Sequence, residues 1–385
     1  MRKLLLLASA CVFFDVAFFA AIAPLLPEYV DNLGLSKAQA GILSASYAAG
    51  TLVAALPAGL VASRVGPKRS VISGLLMLGC ASLVFGFANQ ILVLDGARFA
   101  QGIAGALIWS GAMSWLILAA PDDNRGSVVG TALGTAVAGA LLGPALGAIA
   151  ASIGTEVVFG SVLILTGILS FLASRLPEAG VPERQGLSEV WAAMLSRPVL
   201  DAAAFVAVPS VMFGAIEVLV PLRIDALGGG HGVIAAGFIG GAALEAALAP
   251  LAGRLSDRVG RRAPYVVGLT ICALAMVVVG TATVLGVVLT ALIVTSLGAG
   301  LCFAPALTLL SDVAESTSLH QGMAAGVSNM AWASGQVLGG IGGGVISSFA
   351  GNALPSIAIS ILLLLTSAYA FRVLQPGEPL RLAEN

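Results

Sequence analysis

The 385-residue chain is 58% hydrophobic and only 10% charged, with a mean hydropathy of +1.03. Soluble domains carry roughly 25% charged residues, so this composition excludes a water-facing globular surface, and a net charge of −1 excludes the broad basic field that binds nucleic acid. What remains is a series of apolar runs of about 20 residues, the length an α-helix needs to cross a bilayer.

The chain opens with MRKLLLLASAC, which looks superficially like a signal peptide ending at a lipoprotein-type cysteine. Ala8 stands where such a site wants leucine, and the run continues to Pro27, so it is expected to be a retained first helix. Twelve spans follow from the apolar runs: 4–27, 38–62, 70–88, 91–119, 127–152, 156–175, 198–222, 232–255, 263–282, 286–313, 321–347 and 352–373. The long polar connection, residues 174 to 198, divides them six and six. The expected units are therefore 1–175, a linker over 176–197, a second half over 198–373 and a soluble tail over 374–385. Trp191 reads as an interfacial anchor within the linker.

Four cysteines (Cys11, Cys80, Cys272, Cys302) lie inside apolar runs without CxxC spacing, and the two histidines, His231 and His320, are far apart. Neither a disulfide framework nor a metal site is expected, and no cofactor. Nothing resembles a nucleotide-binding domain.

Basic residues set the orientation. Arg2, Lys3, Arg64, Lys68, Arg69, Arg125, Arg175, Arg184, Arg197, Arg254, Arg258, Arg261, Arg262, Arg372 and Arg381 fall on one side; Lys37 and Arg223 fall on the other, and Arg98 lies inside the fourth run. Both termini and the linker are expected in the cytoplasm, across a cell (inner) membrane.

The halves repeat each other. GLVASRVGPKRS from Gly59 and GRLSDRVGRRAP from Gly253 stand 194 residues apart, as do Pro27–Asp31 and Pro221–Asp225. Gly126, Gly130, Gly139 and Gly143 precede Gly322, Gly326, Gly335 and Gly339 by 196. Six crossings return the chain to its starting side, so the repeats are parallel and a central site between them is expected near midplane.

The second of these loops (Gly253, Leu255, Asp257, Arg258, Gly260, Arg261, Arg262) resembles the Gly-x-Leu-Ala-Asp-Arg-x-Gly-Arg-Lys signature of the major facilitator superfamily. The first keeps Gly59, Arg64, Gly66 and Lys68, with Ser63 for the aspartate and Pro67 for the arginine. The resemblance covers nearly the whole chain. It implies an all-α integral membrane fold of twelve helices in two parallel six-helix pseudo-repeats, with these loops as a cytoplasmic gate in which Asp257 carries more of the lock than Ser63. The alternative, that the basic residues only enforce topology, stays open.

In the fourth run, Asp95, Arg98, Gln101 and Gly102 are similar to the family's helix-4 motif. Asp95 and Arg98 are i,i+3, so they share a helix face and could pair. A charge within a span costs roughly 2.5–3.5 kcal/mol and so faces a cavity or a partner. The motif implies proton relay or state switching; an inert ion pair is the alternative. In the fifth run, Gly139, Gly143, Pro144 and Gly147, followed by Ala148, resemble the GxxxGPxxGG motif of the drug:proton antiporter group. The related stretch from Gly335 to Gly343 lacks the proline, and generic small-residue packing accounts for it equally.

Three further acids lie in apolar runs: Asp15, Glu217 and Glu245. Desolvation penalises a bare carboxylate, which suits such a group to taking up a proton, and proton and cation could then compete for one site. Each of these acids could instead sit at the interface. Asp15 and Glu217 are placed as in vesicular amine transporters and their bacterial relatives, whereas the helix-11 aspartate of that group is Asn329 here. Tyr47, Gln101, Trp109, Asn329, Trp332 and Gln336 are candidate cavity residues, although each alone is better explained by helix packing. The expected function is proton-coupled antiport exporting small lipophilic or cationic compounds by alternating access, by a monomer in contact with lipid, with no enzymatic step. A dedicated metabolite transporter working by symport or uniport, or a non-transporting membrane sensor, are the alternatives.

Overall fold

A computed structural model describes residues 1–121, 125–180, 187–317 and 321–374. Among them the chain forms α1 (Arg2–Ala20), α2 (Ile22–Leu33), α3 (Lys37–Val65), α4 (Pro67–Phe87), α5 (Ile91–Ala119), α6 (Arg125–Ile153), α7 (Thr155–Ser174), α8 (Leu187–Met194), α9 (Arg197–Ala226), α10 (His231–Val259), α11 (Arg262–Thr281), α12 (Leu285–Ser316), α13 (Gln321–Ala350) and α14 (Ala353–Val373). Eleven stretches, counting α1 with α2 as one, are long and apolar enough to span a membrane among the described residues. With α13, 30 residues long and packed along α3 and α9, they make the twelve-helix fold. Short α8 lies in the connection, with Trp191 exposed.

Several helices outrun the apolar segments that announced them: α3 and α6 each reach 29 residues and α9 reaches 30, against runs over 38–62, 127–152 and 198–222. A helix longer than the hydrocarbon thickness tilts or projects beyond it. Local chemistry sets the ends. Ser36 and Gln39 form a reciprocal capping box at the start of α3, and Pro67 opens α4 directly after Gly66.

The repeat is visible in the main chain. Left-handed glycines Gly34 and Gly228, Gly66 and Gly260, and Gly154 and Gly351 stand 194, 194 and 197 residues apart, at matching turns. Only glycine adopts such angles without strain. Helix pairs repeat as well. Gly74 of α4 meets the Ala104 carbonyl of α5, and Gly268 of α11 meets the Gly298 carbonyl of α12, each partner 194 residues further on. Two buried clusters follow: one gathers side chains of α1–α7, among them Phe85, Trp115 and Phe159, together with Val218 of α9, and the other those of α9–α14 with Met194 of α8.

Against the expectation of one continuous first helix, the run over 4–27 is broken at Ala21. Pro24, in the first turn of α2, has no N–H to give to the Ala20 carbonyl, and Pro27 repeats the loss three residues later.

Candidate functional site

The break in the first span is where the interior charge collects. Helix α1 ends with carbonyls aimed at the protein interior. Arg98 of α5 donates from Nη1 to Phe18 O at 3.3 Å and from Nη2 to Phe19 O at 3.1 Å. A guanidinium fits the negative end of a helix dipole, where it adds donors to two carbonyls of the last turn. Nη1 also donates to Gln101 Oε1 at 3.1 Å, and Gln101 Nε2 donates to Ser82 Oγ at 3.0 Å. The rings of Tyr47, Phe19 and Phe85 lie 5.2–5.9 Å from the guanidinium carbon, close enough for cation–π attraction. Arg98 is only 1% exposed. Its partners are thus a helix end, an amide and aromatic faces.

The pairing of Arg98 with Asp95 that their spacing permits is not what forms. Asp95 lies beside Ser46 of α3, half-buried, whereas the longer arginine crosses to α1. Sharing a helix face permits a pair, but the free carbonyls of a neighbouring helix outcompete it.

Asp15 sits on α1 and is completely buried. Tyr47 Oη donates to both carboxylate oxygens, at 2.9 and 3.0 Å, and Trp109 Nε1 donates to Oδ2 at 3.1 Å. These donors suit an acceptor-only carboxylate. Gly105 of α5 makes the space: a Cβ there would collide with Tyr47 Oη and lie 2.9 Å from Asp15 Oδ1. Asp15, Tyr47 and Trp109 therefore form one cluster. Tyr47 joins it to Arg98 through its ring, which also packs on Phe19 at 4.8 Å.

The glycine motif of α6 positions α1. Gly139 meets Phe13 O, Gly143 lies against Ala17 O and Ala20, and Gly147 meets Ala21 O and Pro24. Four-residue steps on both helices bring the backbones together along the segment that carries Asp15 and the break. Buried Pro144 stands between the last two contacts. In the second half, Gly335, Gly339 and Gly343 of α13 run along Ala207, Val211 and Ala215 of α9 in the same steps.

Between the halves lies Glu217 of α9, partly buried, which accepts from Ser44 Oγ of α3 at 3.4 Å. Gln336 of α13 is its other hydrogen-bonding neighbour. Trp332, one turn before Gln336, packs edge-on against Phe19 at 5.5 Å and closes an aromatic bridge from one half to the other. Asn329 is partly buried on α13, two turns before Gln336. Glu245 of α10 stands apart from these groups, beside Gly300 of α12 within the second half. Gln101 faces Arg98 and Ser82 inside the first half.

The basic loops engage their own halves. Lys68 donates to Ser174 O at 2.8 Å and Leu176 O at 2.7 Å, and Arg69 lies 3.9 Å from Glu178. Arg261 pairs with Asp312 at 2.5 Å. Gly59 and Ser63 lie inside α3, where Ser63 Oγ turns back to Leu60 O. Gly66 and Gly260 supply the left-handed turns, while Arg64 and Arg258 are exposed. The side-chain surroundings of Gly253 and Asp257 lie outside the described residues, as do Arg184, His320 and Arg381.

Sequence reasoning missed Phe19, Ser44, Ser82 and Gly105. Only Gly105, in RFAQGIAG, carried a local signal, as one small residue among several on that helix.

The family profile described as Major Facilitator Superfamily matches residues 5–244 and 232–385. The chain is 26% identical over 276 residues to an uncharacterized MFS-type transporter of Yersinia pseudotuberculosis serotype O:3, covering 68% of each. It is 31% identical over 128 residues to an uncharacterized MFS-type transporter of Schizosaccharomyces pombe, 32% of this chain and 29% of that one, and 27% identical over 126 residues to the MFS-type transporter ppzB of Metarhizium majus, 31% and 27%. The chain thus spans under a third of the length of those two relatives. Among solved structures, the bacterial homolog of the human lysosomal transporter Spinster, inward-facing and unoccupied, superposes with a TM-score of 0.77 at 15% identity, covering 96% of both chains. A D-xylose-proton symporter gives 0.76 at 17%, covering 98% of both. These likenesses show the fold, and the relatives are transporters rather than enzymes. By the profile match over nearly its whole length, the chain belongs to the Major Facilitator Superfamily.

Proposed function

We propose that the protein is a proton-coupled antiporter that exports small lipophilic or cationic compounds by alternating access, as a monomer in a cell (inner) membrane with both termini in the cytoplasm. The observation that carries the reading is the Asp15 cluster, a carboxylate wholly inside the first half and held by Tyr47 and Trp109. A rocking motion that withdraws either donor leaves an unpaired buried charge, and proton uptake neutralises it. Glu217, at the seam between the halves with Ser44 and Gln336 around it, takes the positive group of the cargo, and Trp332 and Phe19 offer it aromatic faces. Arg98 ties the state of α1 to α5. Glu245, set apart from this group, serves as a secondary proton acceptor.

The test is solute-driven proton flux in proteoliposomes under an imposed pH gradient, with organic cations, neutral drugs and sugars as solutes. Flux with cations that Asp15→Asn abolishes, and that Glu217→Gln converts to cation-insensitive leak or none, supports the assignment. Cation flux unchanged in both variants would remove Asp15 and Glu217 from the mechanism, and flux with sugars alone would replace antiport by metabolite transport.

A further inference from the structure

Call the membrane side that carries the α2–α3 and α9–α10 turns the far face, opposite the basic loops. There the two halves exchange side-chain hydrogen bonds through residues that no motif accounts for. His231, the first residue of α10, places Nδ1 2.7 Å from the Pro24 carbonyl of α2. Lys37, the first residue of α3, donates from Nζ to Asn352 Oδ1 at 2.9 Å, at the start of α14. Both bonds cross from one six-helix half to the other, 207 and 315 residues apart in the chain.

Helix stability does not explain these residues. A cation in the first turn of a helix opposes the dipole, so Lys37 is misplaced for α3 alone. An asparagine at an N-cap ordinarily turns its side chain to the free N–H groups of its own helix. Asn352 makes no such cap and gives its oxygen to Lys37 instead. The other basic residue of this face, Arg223, is used within the second half, donating to Ala282 O. Next to Lys37 the backbones touch: a Cβ on Gly344 of α13 would lie 2.5 Å from Lys37 O and 3.0 Å from Gly41 Cα.

We propose that His231 with the Pro24 carbonyl, and Lys37 with Asn352, form a two-point latch that holds the far face shut, and that its release is a step of the transport cycle. One point clamps the outer segment of the broken first span to α10. The other clamps the tight α3–α13 seam at its open end. Since both bonds cross between the halves, losing them favours the state open at the far face, by roughly fivefold in the open-to-closed ratio for each bond. The latch residues are distinct from Asp15 and Glu217, so its test does not depend on which cargo is carried or where the proton binds.

The experiment is spin-label distance measurement in nanodiscs on a chain whose native cysteines are replaced by alanine. One label pair, Asn32→Cys with Gly286→Cys, spans the far face. A second, Arg64→Cys with Arg258→Cys, spans the opposite face. His231→Ala with Lys37→Met is expected to raise the long-distance population at the far face more than tenfold and to shorten the opposite pair in step, because the halves rock as bodies. Lys37→Arg, which keeps a donor, restores the parent distribution at that point. Local unfolding would broaden the far-face pair and leave the other unmoved, and that result overturns the proposal. So does a double variant that superposes on its parent at both faces. Where the double variant yields no folded protein, Lys37→Met alone is measured against the same two outcomes with a fivefold shift expected.

Discussion

The two halves share a backbone and differ inside. In the first, Asp15, Tyr47, Arg98, Gln101 and Trp109 gather around the end of α1. The positions 194 residues further on hold Pro209, Gly241, Leu292, Thr295 and Phe303. The second half buries hydroxyls and one amide, Ser210, Thr295, Gln336, Ser347, Ser356, Ser360 and Ser367, but no fully buried charge among the described residues. Yet the turn glycines and the glycine-on-carbonyl contacts coincide. Positions where only glycine satisfies the main chain are restricted in both halves. Interior positions whose side chains meet only one another are free to diverge, and one half became the polar one.

The sharpest way to break the comparison is to make the first half like the second. Arg98→Met leaves Phe18 O, Phe19 O and Gln101 Oε1 without their donor, at about 3 kcal/mol of stability given 1–3 kcal/mol for a buried unsatisfied group. Leu292→Met, at the matching position, costs under about 1.5 kcal/mol. Denaturant unfolding in detergent compares them, and equal losses would contradict the capping of α1 by Arg98. Next, Tyr47→Phe removes a hydroxyl shared by both Asp15 oxygens and is expected to cost about 2 kcal/mol, in the range for hydrogen bonds to charged groups. Gly105→Ala pushes the tyrosine off Asp15 at about 1 kcal/mol or more and changes the emission of Trp109, whereas Ala299, its counterpart, already carries the methyl group. Smallest is Ser63→Asp. Ser63 bonds only its own helix, so stability should move by under about 0.5 kcal/mol.

The twelve spans were legible because hydrocarbon selects for apolar runs of one length, and the repeat because glycine is irreplaceable at Gly34, Gly66 and their counterparts. The break at Ala21 was not read, although Pro24 and Pro27 were in plain view. A proline in an apolar run marks a lost hydrogen bond without saying whether the helix merely bends. The arginine that binds the last turn of α1 lies 77 residues beyond the break and is set there by the packing of α5 on α1, which spacing along the chain does not encode. The same holds for Asp95, whose nearest opposite charge by sequence is not its partner in space. The candidate acids were found as isolated charges, but Asp15 and Glu217 were separated in role only by depth: one inside a half, the other at the seam. His231 entered only as a histidine too far from the other to share a metal and Lys37 only as a charge on the sparse side, because residues at helix ends carry no periodic signal.

The connection between the halves has a consequence of its own. Each six-helix group closes around an apolar cluster drawn from its own helices, except that Val218 of α9 joins the first, and α8 contributes Met194 to the second alone. A cut after Gly180 therefore leaves each cluster whole but for the Val218 side chain. Two fragments made from separate messages would each carry a complete set of helices, and would reassemble through the α3–α13 and α6–α10 surfaces that join them in the intact chain. In such a split protein the covalent link is only a tether, and the pairing of the fragments becomes a direct readout of how strongly the two bodies hold each other in the membrane.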